Sequence, residues 1–278
     1  MKKTALLLIL LVAVLSITGC TRNAAEGAKD SVVRTIKIGL VGEMTEMWDP
    51  VRENLEGQGI EIKIVKFSDY TLPNQALEDG EIDLNAFQHY AFLYNEIEAK
   101  GLNLTAIGNT IIAPLNVYST KIKEVSEISE GDKIAIPNDV TNGGRALKVL
   151  ESAGLIEVAE SAGYTPSLQD ITSNPLNLEL IEVEASNIPS LLPDVTAAVI
   201  NGNHAHDYGL VPAKDAIYSQ GVDSLTGDNP YINIIVARTE EADDPDFLKI
   251  VEAYNKPNVA RVINETFEGL YIPAWTED

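Results

Sequence analysis

The chain has 278 residues, 45% hydrophobic and 22% charged, the composition of a folded protein with room for two modest lobes or one large domain. Its 20 basic and 42 acidic residues leave a formal charge of -22, which argues against nucleic acid or anionic lipid as partners for the folded surface. A single cysteine rules out an intramolecular disulfide framework and a multi-thiolate metal site alike.

That cysteine has a place at the N-terminus. Lys2 and Lys3 precede an apolar run over residues 5–15, and Ser16-Ile-Thr-Gly-Cys20 ends it with small residues, the layout of a secretory signal too short to span a membrane comfortably. Ile17-Thr18-Gly19-Cys20 resembles a bacterial lipobox, which implies cleavage before Cys20 and a lipid on its thiol. Residues 1–19 are then a signal peptide. Residues 20–34, small and polar without apolar periodicity, are a flexible tether after lipidated Cys20.

Residues 36–41 read as a buried strand, and residues 47–55 carry apolar residues at helical spacing until Gly57-Gln-Gly59 stops them. Residues 60–67 alternate apolar and charged, a strand with one wet face; a strand-helix-strand unit of this length predicts a parallel pair. A turn at residues 69–74 opens a short helix that Gly80 closes. A strand follows at 82–87, and residues 88–94 run into a helix ending near Gly101. In an open α/β sheet, residues just past the carboxyl ends of strands line the ligand crevice, so residues 43–48, 68–70 and 87–92 should face one cleft. Residues 104–120 form a longer extended segment, broken at Pro114, that crosses to a second lobe.

The second lobe opens on Lys133-Ile-Ala-Ile-Pro-Asn-Asp-Val-Thr-Asn-Gly-Gly-Arg-Ala-Leu147, a buried strand, a polar turn and a helix start. Asn138, Asp139, Thr141 and Asn142 are helix-capping residue types, and Gly143 and Gly144 keep the first turn bare. Bare N–H groups there, with Arg145 beside them, would suit a carboxylate or phosphate. Alternatively, Arg145 solvates the outer face of the helix, and the turn by itself does not choose between the two. Residues 163–177 are rich in Asn, Ser and Pro; a strand at 178–184, a short helix around 189–192 and a strand at 196–201 follow. Residues 229–238 are a second long extended segment, and the helical pattern over 246–270 packs most economically if it returns to the first lobe. Two crossings make two lobes around a cleft: residues 35–117 plus 234–278, and residues 118–233.

Five spaced blocks carry a resemblance: Phe67-Ser-Asp-Tyr-Thr-Leu-Pro-Asn-Gln-Ala-Leu77, Gly80-Glu-Ile-Asp-Leu-Asn-Ala-Phe-Gln-His89, residues 134–147, Ala198-Val-Ile-Asn201 and Pro230-Tyr-Ile-Asn233. In order and together, they resemble the NlpA/MetQ family of lipid-anchored substrate-binding proteins of methionine-uptake ABC transporters. The resemblance implies an α/β type II periplasmic-binding-protein fold of two lobes joined by two crossing strands. It further implies anchorage at the extracytoplasmic face of the cell membrane, a bound amino acid, most directly methionine, and a permease with its ATPase as partners. Position by position it casts Arg145 as the partner of the ligand's carboxylate, with Asn201 and Asn233 as polar clamps on its α-carboxylate and α-amino groups. Tyr70, Phe87 and His89 would wall the side-chain pocket, with Asn142 beside Arg145. Where the family commonly has Phe-Gln-His-x-Pro-Tyr, this chain has Phe87-Gln-His-Tyr-Ala-Phe92; Val140 replaces a proline, and Asn203-His-Ala replaces Asn-Tyr-Ala. Trp48 also enters the first loop, so Trp48, Phe92 and His204 are positioned to reshape the pocket.

Two other readings follow from the residues. His89, His204 and His206, with Asp207 nearby, are a set that a zinc-transport protein would use, although Arg145 would then have no purpose; binding of another small amino acid or a short peptide keeps the same cleft. No Ser-His-Asp block and no close carboxylate pair in a recognisable frame points to an enzyme, and no cofactor is called for.

Overall fold

The computed structural model describes residues 33–221 and 229–275. Cys20, the signal segment and most of the tether lie outside the described residues.

Strand β1 (Arg34–Val41) is followed by α1 (Trp48–Asn54) and β2 (Ile60–Phe67). β1 and β2 pair in parallel from Arg34 opposite Ile60 to Val41 opposite Phe67, as the strand-helix-strand pattern predicts. Pro73 opens α2 (Pro73–Glu78), where its missing N–H and fixed φ suit a first turn. β3 (Leu84–His89) and α3 (Tyr90–Lys100) stand about two residues later than the sequence suggested at the strand's end. The cause is His89: its backbone stays extended, and its Nδ1 accepts the Phe92 amide hydrogen, so a histidine caps the helix. Gly101, in the left-handed region, ends α3 where expected. β4 (Leu104–Ile112) closes this part of the chain.

Past the break at Pro114, β5 (Asn116–Tyr118) belongs to a different sheet, so the extended segment does cross. β6 (Lys133–Pro137) leads into α4 (Val140–Ser152), which buries Ala146, Leu147, Val149 and Leu150 among Val117, Ile134, Ile136 and Val199. β7 (Glu157–Val158), before the polar region, and β8 (Ile171–Ser173), within it, form a small antiparallel pair, too short for periodicity to register. β9 (Glu179–Val183), β10 (Ala197–Ile200), α5 (Gly202–Asp207), α6 (Pro212–Asp215) and β11 (Ala216–Ser219) follow, with a 3₁₀ turn at Ala185–Leu191 where a short helix was expected. The second sheet runs β11-β5-β10-β6-β9. In it, β6, β9 and β10 are mutually parallel, and β5 and β11 close it by antiparallel pairing.

β12 (Ile232–Arg238) returns to the first sheet, inserting antiparallel between β3 and β4. The C-terminal helical pattern is two helices, α7 (Pro245–Tyr254) and α8 (Pro257–Thr266), because Pro257 starts a new one. Both pack on α1, and β13 (Ile272–Pro273) adds an edge beside β4. The first sheet therefore runs β13-β4-β12-β3-β1-β2. No helix among the described residues is long and apolar enough to cross a membrane.

Candidate ligand-binding cleft

The carboxyl ends of β1, β2 and β3 deliver side chains to one cavity, as the crevice rule requires. Met44, Met47 and Trp48 come from the loop after β1 and the start of α1, Tyr70 from the turn after β2, Phe87 and His89 from β3, and Phe92 from the first turn of α3. Asn233 of β12 lines it beside them, in register with His89. The second sheet contributes Asn142 and Arg145 from α4 and Asn201 and Asn203 from the end of β10 and the start of α5.

The turn before α4 is not the bare anion site that the sequence suggested. Asp139 is the N-cap, and its own carboxylate accepts the Asn142 amide hydrogen at 2.9 Å, the Thr141 hydroxyl at 3.1 Å and the Asn142 side-chain amide at 3.0 Å. The protein thus supplies its own anion to that helix end. The glycine pair serves packing: a Cβ on Gly143 would meet the Pro137 carbonyl oxygen at 2.8 Å, and one on Gly144 would meet the Thr165 Cα at 2.7 Å.

Arg145 is not a solvated outer-face residue either. It is 2% exposed and points inward. Its Nη2 donates to the Ala113 carbonyl at 2.7 Å and to Gln220 Oε1 at 2.7 Å, its Nε donates to the same Gln220 oxygen at 3.1 Å, and its Cζ stands 4.4 Å from the centre of the Tyr231 ring. No carboxylate pairs with it among the described residues. Burial lowers its pKa to about 10, so it remains a cation at neutral pH.

Around this cation runs a chain of amides. Asn142 Oδ1 accepts from Asn201 Nδ2 at 2.8 Å and lies 3.4 Å from His89 Nε2. Burial, with the nearby Arg145 charge, lowers the His89 pKa to about 3, so the ring is neutral. Tyr70 donates its hydroxyl to Asn203 Oδ1 at 2.5 Å, stacks on Phe87 with centroids 6.0 Å apart, and meets Phe92 edge-on. Asn201 Oδ1 and Asn203 Nδ2 are buried with no hydrogen-bond partner among the described residues. An acceptor and a donor without partners, on the wall of a cavity holding an unpaired cation, offer three polar contacts to one small zwitterion.

The apolar end is richer in sulfur than the sequence suggested. Met44 and Met47 join Trp48, with Tyr254 edge-on to Trp48 at 5.1 Å and its hydroxyl 3.0 Å from Met47 Sδ. Two methionines around a loop and a tyrosine 207 residues after Met47 share no local signal. Gln220 and Tyr231 were also not singled out, although Tyr231 lies inside the Pro230-Tyr-Ile-Asn233 block.

Trp48, Tyr70, Phe87, His89, Phe92, Asn142, Arg145, Asn201 and Asn233 all line this cavity; His204 does not. It is buried behind the wall, its ring 5.0 Å from that of Tyr70. The zinc arrangement is not assembled: His89 spends one ring nitrogen on the Phe92 amide and the other on Asn142, while His206 turns toward Asp207 and the Phe267 ring. Among the described residues no group of three or more His, Cys, Asp or Glu side chains is placed to hold a metal ion.

The chain is similar to known proteins over most of its length. A profile of the NlpA lipoprotein family matches residues 36–275. Over 267 residues, 95% of each chain, the sequence is 37% identical to the D-methionine-binding lipoprotein MetQ of Yersinia pestis. A solved nutrient binding protein from Burkholderia cenocepacia, bound to methionine, is 37% identical with a TM-score of 0.81, the match covering 86% of this chain and 100% of that one. The substrate binding protein of a methionine transporter from Streptococcus pneumoniae is 37% identical with a TM-score of 0.81, covering 87% of this chain and 96% of that one. The two-lobed α/β periplasmic-binding fold expected from the sequence is the fold of these neighbours.

Proposed function

The chain belongs to the NlpA lipoprotein family, and from that premise we propose that it is a lipid-anchored capture protein that binds methionine and hands it to an ABC importer. The observation that carries this reading is Arg145, a buried cation with no carboxylate partner among the described residues, in a cavity that Met44, Met47 and Trp48 also line. A free amino acid brings what both kinds of wall lack. Its carboxylate compensates Arg145, its ammonium answers the unpartnered Asn201 Oδ1, with Asn233 beside it, and a thioether side chain fits among rings and sulfurs. A charged side chain would lie among Trp48, Phe87 and Phe92 with no counter-ion.

The remaining parts follow from the same reading. Cys20 carries the lipid that holds the protein at the extracytoplasmic membrane face, a permease with its ATPase receives the ligand, and the role is binding without catalysis. The lobes, residues 35–117 plus 234–278 and residues 118–233, close around the ligand by flexing at the crossing strands.

Native mass spectrometry of protein purified without added ligand, followed by a thermal-shift screen of the amino acids in both enantiomers, tests the proposal. Co-purified methionine, or methionine among the largest rises in melting temperature, supports it. Preference for Asp, Glu or Lys, or no response to any amino acid, would overturn it.

A further inference from the structure

Gln220, which follows the edge strand β11, does more than fill space beside Arg145. Its Oε1 accepts three hydrogen bonds, from Arg145 Nε at 3.1 Å, Arg145 Nη2 at 2.7 Å and the Leu115 backbone N–H at 3.1 Å, and the Gln220 backbone N–H donates to the Leu115 carbonyl at 3.3 Å. The glutamine is therefore clamped to the crossing segment between β4 and β5, and it grips the guanidinium along the Nε–Nη2 edge. That is the edge on which a carboxylate would form its bidentate pair. Every other contact of the guanidinium among the described residues is also uncharged: the Ala113 carbonyl and the Tyr231 ring. The titratable groups facing it are Tyr231, Tyr70 and His89; burial raises the pKa of both phenols and lowers that of the imidazole, so all three are neutral near pH 7.

We propose that Gln220 is the positioning residue that readies Arg145 for a ligand's carboxylate: one amide oxygen takes the Nε–Nη2 edge that an internal carboxylate would take, and brings none of its charge. A fixed guanidinium pays little orientational entropy when the ligand arrives, and its charge is left for the ligand to neutralise. Nη1, which makes no hydrogen bond among the described residues, is the atom left to meet the ligand's carboxylate. A glutamate at this position would keep all three accepted bonds and compensate the cation from within. The inference rests on the proposed amino-acid role, yet half of its test needs no ligand.

The experiment compares wild type, Gln220→Glu and Gln220→Leu by scanning calorimetry without ligand, and by titration with methionine and with methionine amide, which lacks the carboxylate charge. Gln220→Glu should melt higher than wild type when ligand-free, bind methionine at least ~30-fold more weakly, and lose most of the preference for acid over amide. Gln220→Leu keeps the cation but frees its fork, so it should weaken methionine roughly 10-fold while the preference for acid over amide survives. If Gln220→Glu does not fold, Gln220→Leu decides, and wild-type affinity there overturns the proposal. A ligand-free melting temperature in Gln220→Glu that is unchanged or lower overturns it as well. Should wild type bind no amino acid, the amino-acid role fails, and the ligand-free comparison still rules on whether Gln220 leaves Arg145 uncompensated.

Discussion

His89 Nε2 lies 3.4 Å from Asn142 Oδ1, joining the end of a central strand in the first sheet to the first turn of the helix that carries Arg145 in the second. Both ends of the contact are fixed from behind. His89 Nδ1 accepts the Phe92 amide hydrogen at 3.1 Å, which places the ring proton on Nε2. The Asn142 side-chain amide donates to Asp139, which turns its oxygen toward the cavity. A neutral histidine and a neutral amide thus connect the two sheets close to a buried cation, where a second positive charge would be repelled.

The first expected consequence is a steep acid limb in stability. Burial lowers the His89 pKa to about 3 in the folded protein, against ~6.5 in the unfolded chain. Only the unfolded state takes up the proton in that window, so stability is full above pH 6.5 and falls as pH drops toward 3. At pH 5 the loss from His89 should be on the order of 2 kcal/mol, and His204, lowered by burial as well, adds in the same direction. His89→Asn keeps a helix-capping side chain and removes the titration, so it should flatten the limb. Urea midpoints at pH 7.5 and 5 decide this, and identical slopes in wild type and variant would show that His89 does not carry it.

Arg145→Leu removes the cation that the ligand is expected to answer. A charge-assisted bond in a closed cleft is worth about 2–4 kcal/mol, so methionine should bind roughly 30- to 1000-fold more weakly. Methionine amide should lose much less. Ligand-free stability should change little, because the bonds to Gln220 and Ala113 are lost together with the burden of a buried unpaired charge. Equal losses for acid and amide would remove Arg145 from the carboxylate.

Much of this was legible in the chain, for identifiable reasons. The alternation over residues 60–67 and the strand-turn-helix around Arg145 are local signals, and the structure holds the corresponding β2, β6 and α4. The inward aim of Arg145 was not legible, because it depends on Gln220, Ala113 and Tyr231, which come from separate segments. The anion site expected at that turn failed for the opposite reason, since Asp139 caps the helix as its residue type predicts and its own carboxylate fills the place. The motif holds an anion-ready helix start together with the acid that occupies it, and spacing does not say which one faces the cavity. His89 was expected past a strand's end and stands at its last residue, since an imidazole acting as N-cap is a tertiary choice that propensity does not record.

The anchor is tested independently of the cleft. Cys20→Ala should move the protein from the membrane fraction to the soluble fraction while leaving ligand affinity unchanged, as the cavity is built from residues far along the chain from Cys20. A variant that stays with the membrane would contradict lipid attachment at this residue.

Closure of the cleft should depend on Tyr70. Its hydroxyl donates to Asn203 Oδ1 at 2.5 Å, joining the turn after β2 of the first sheet to α5, which follows β10 of the second. Asn203 Nδ2 is already buried without a partner, so Tyr70→Phe would leave both ends of that amide unsatisfied in the closed form. An open form, with water at Asn203, would not suffer in the same way. The difference is about 1–3 kcal/mol against closing, which should weaken affinity roughly 5- to 150-fold. Because the ring itself remains stacked on Phe87, the contact offered to an apolar side chain is unchanged, and ligands of different side chains should lose affinity by similar factors. Small-angle scattering at saturating methionine should show the radius of gyration shrinking on binding in wild type, and the variant should need more ligand to reach the same value. Affinities within twofold of wild type, or losses confined to one side chain, would mean that Tyr70 contributes to the pocket wall alone and that the bond to Asn203 does not bias closure.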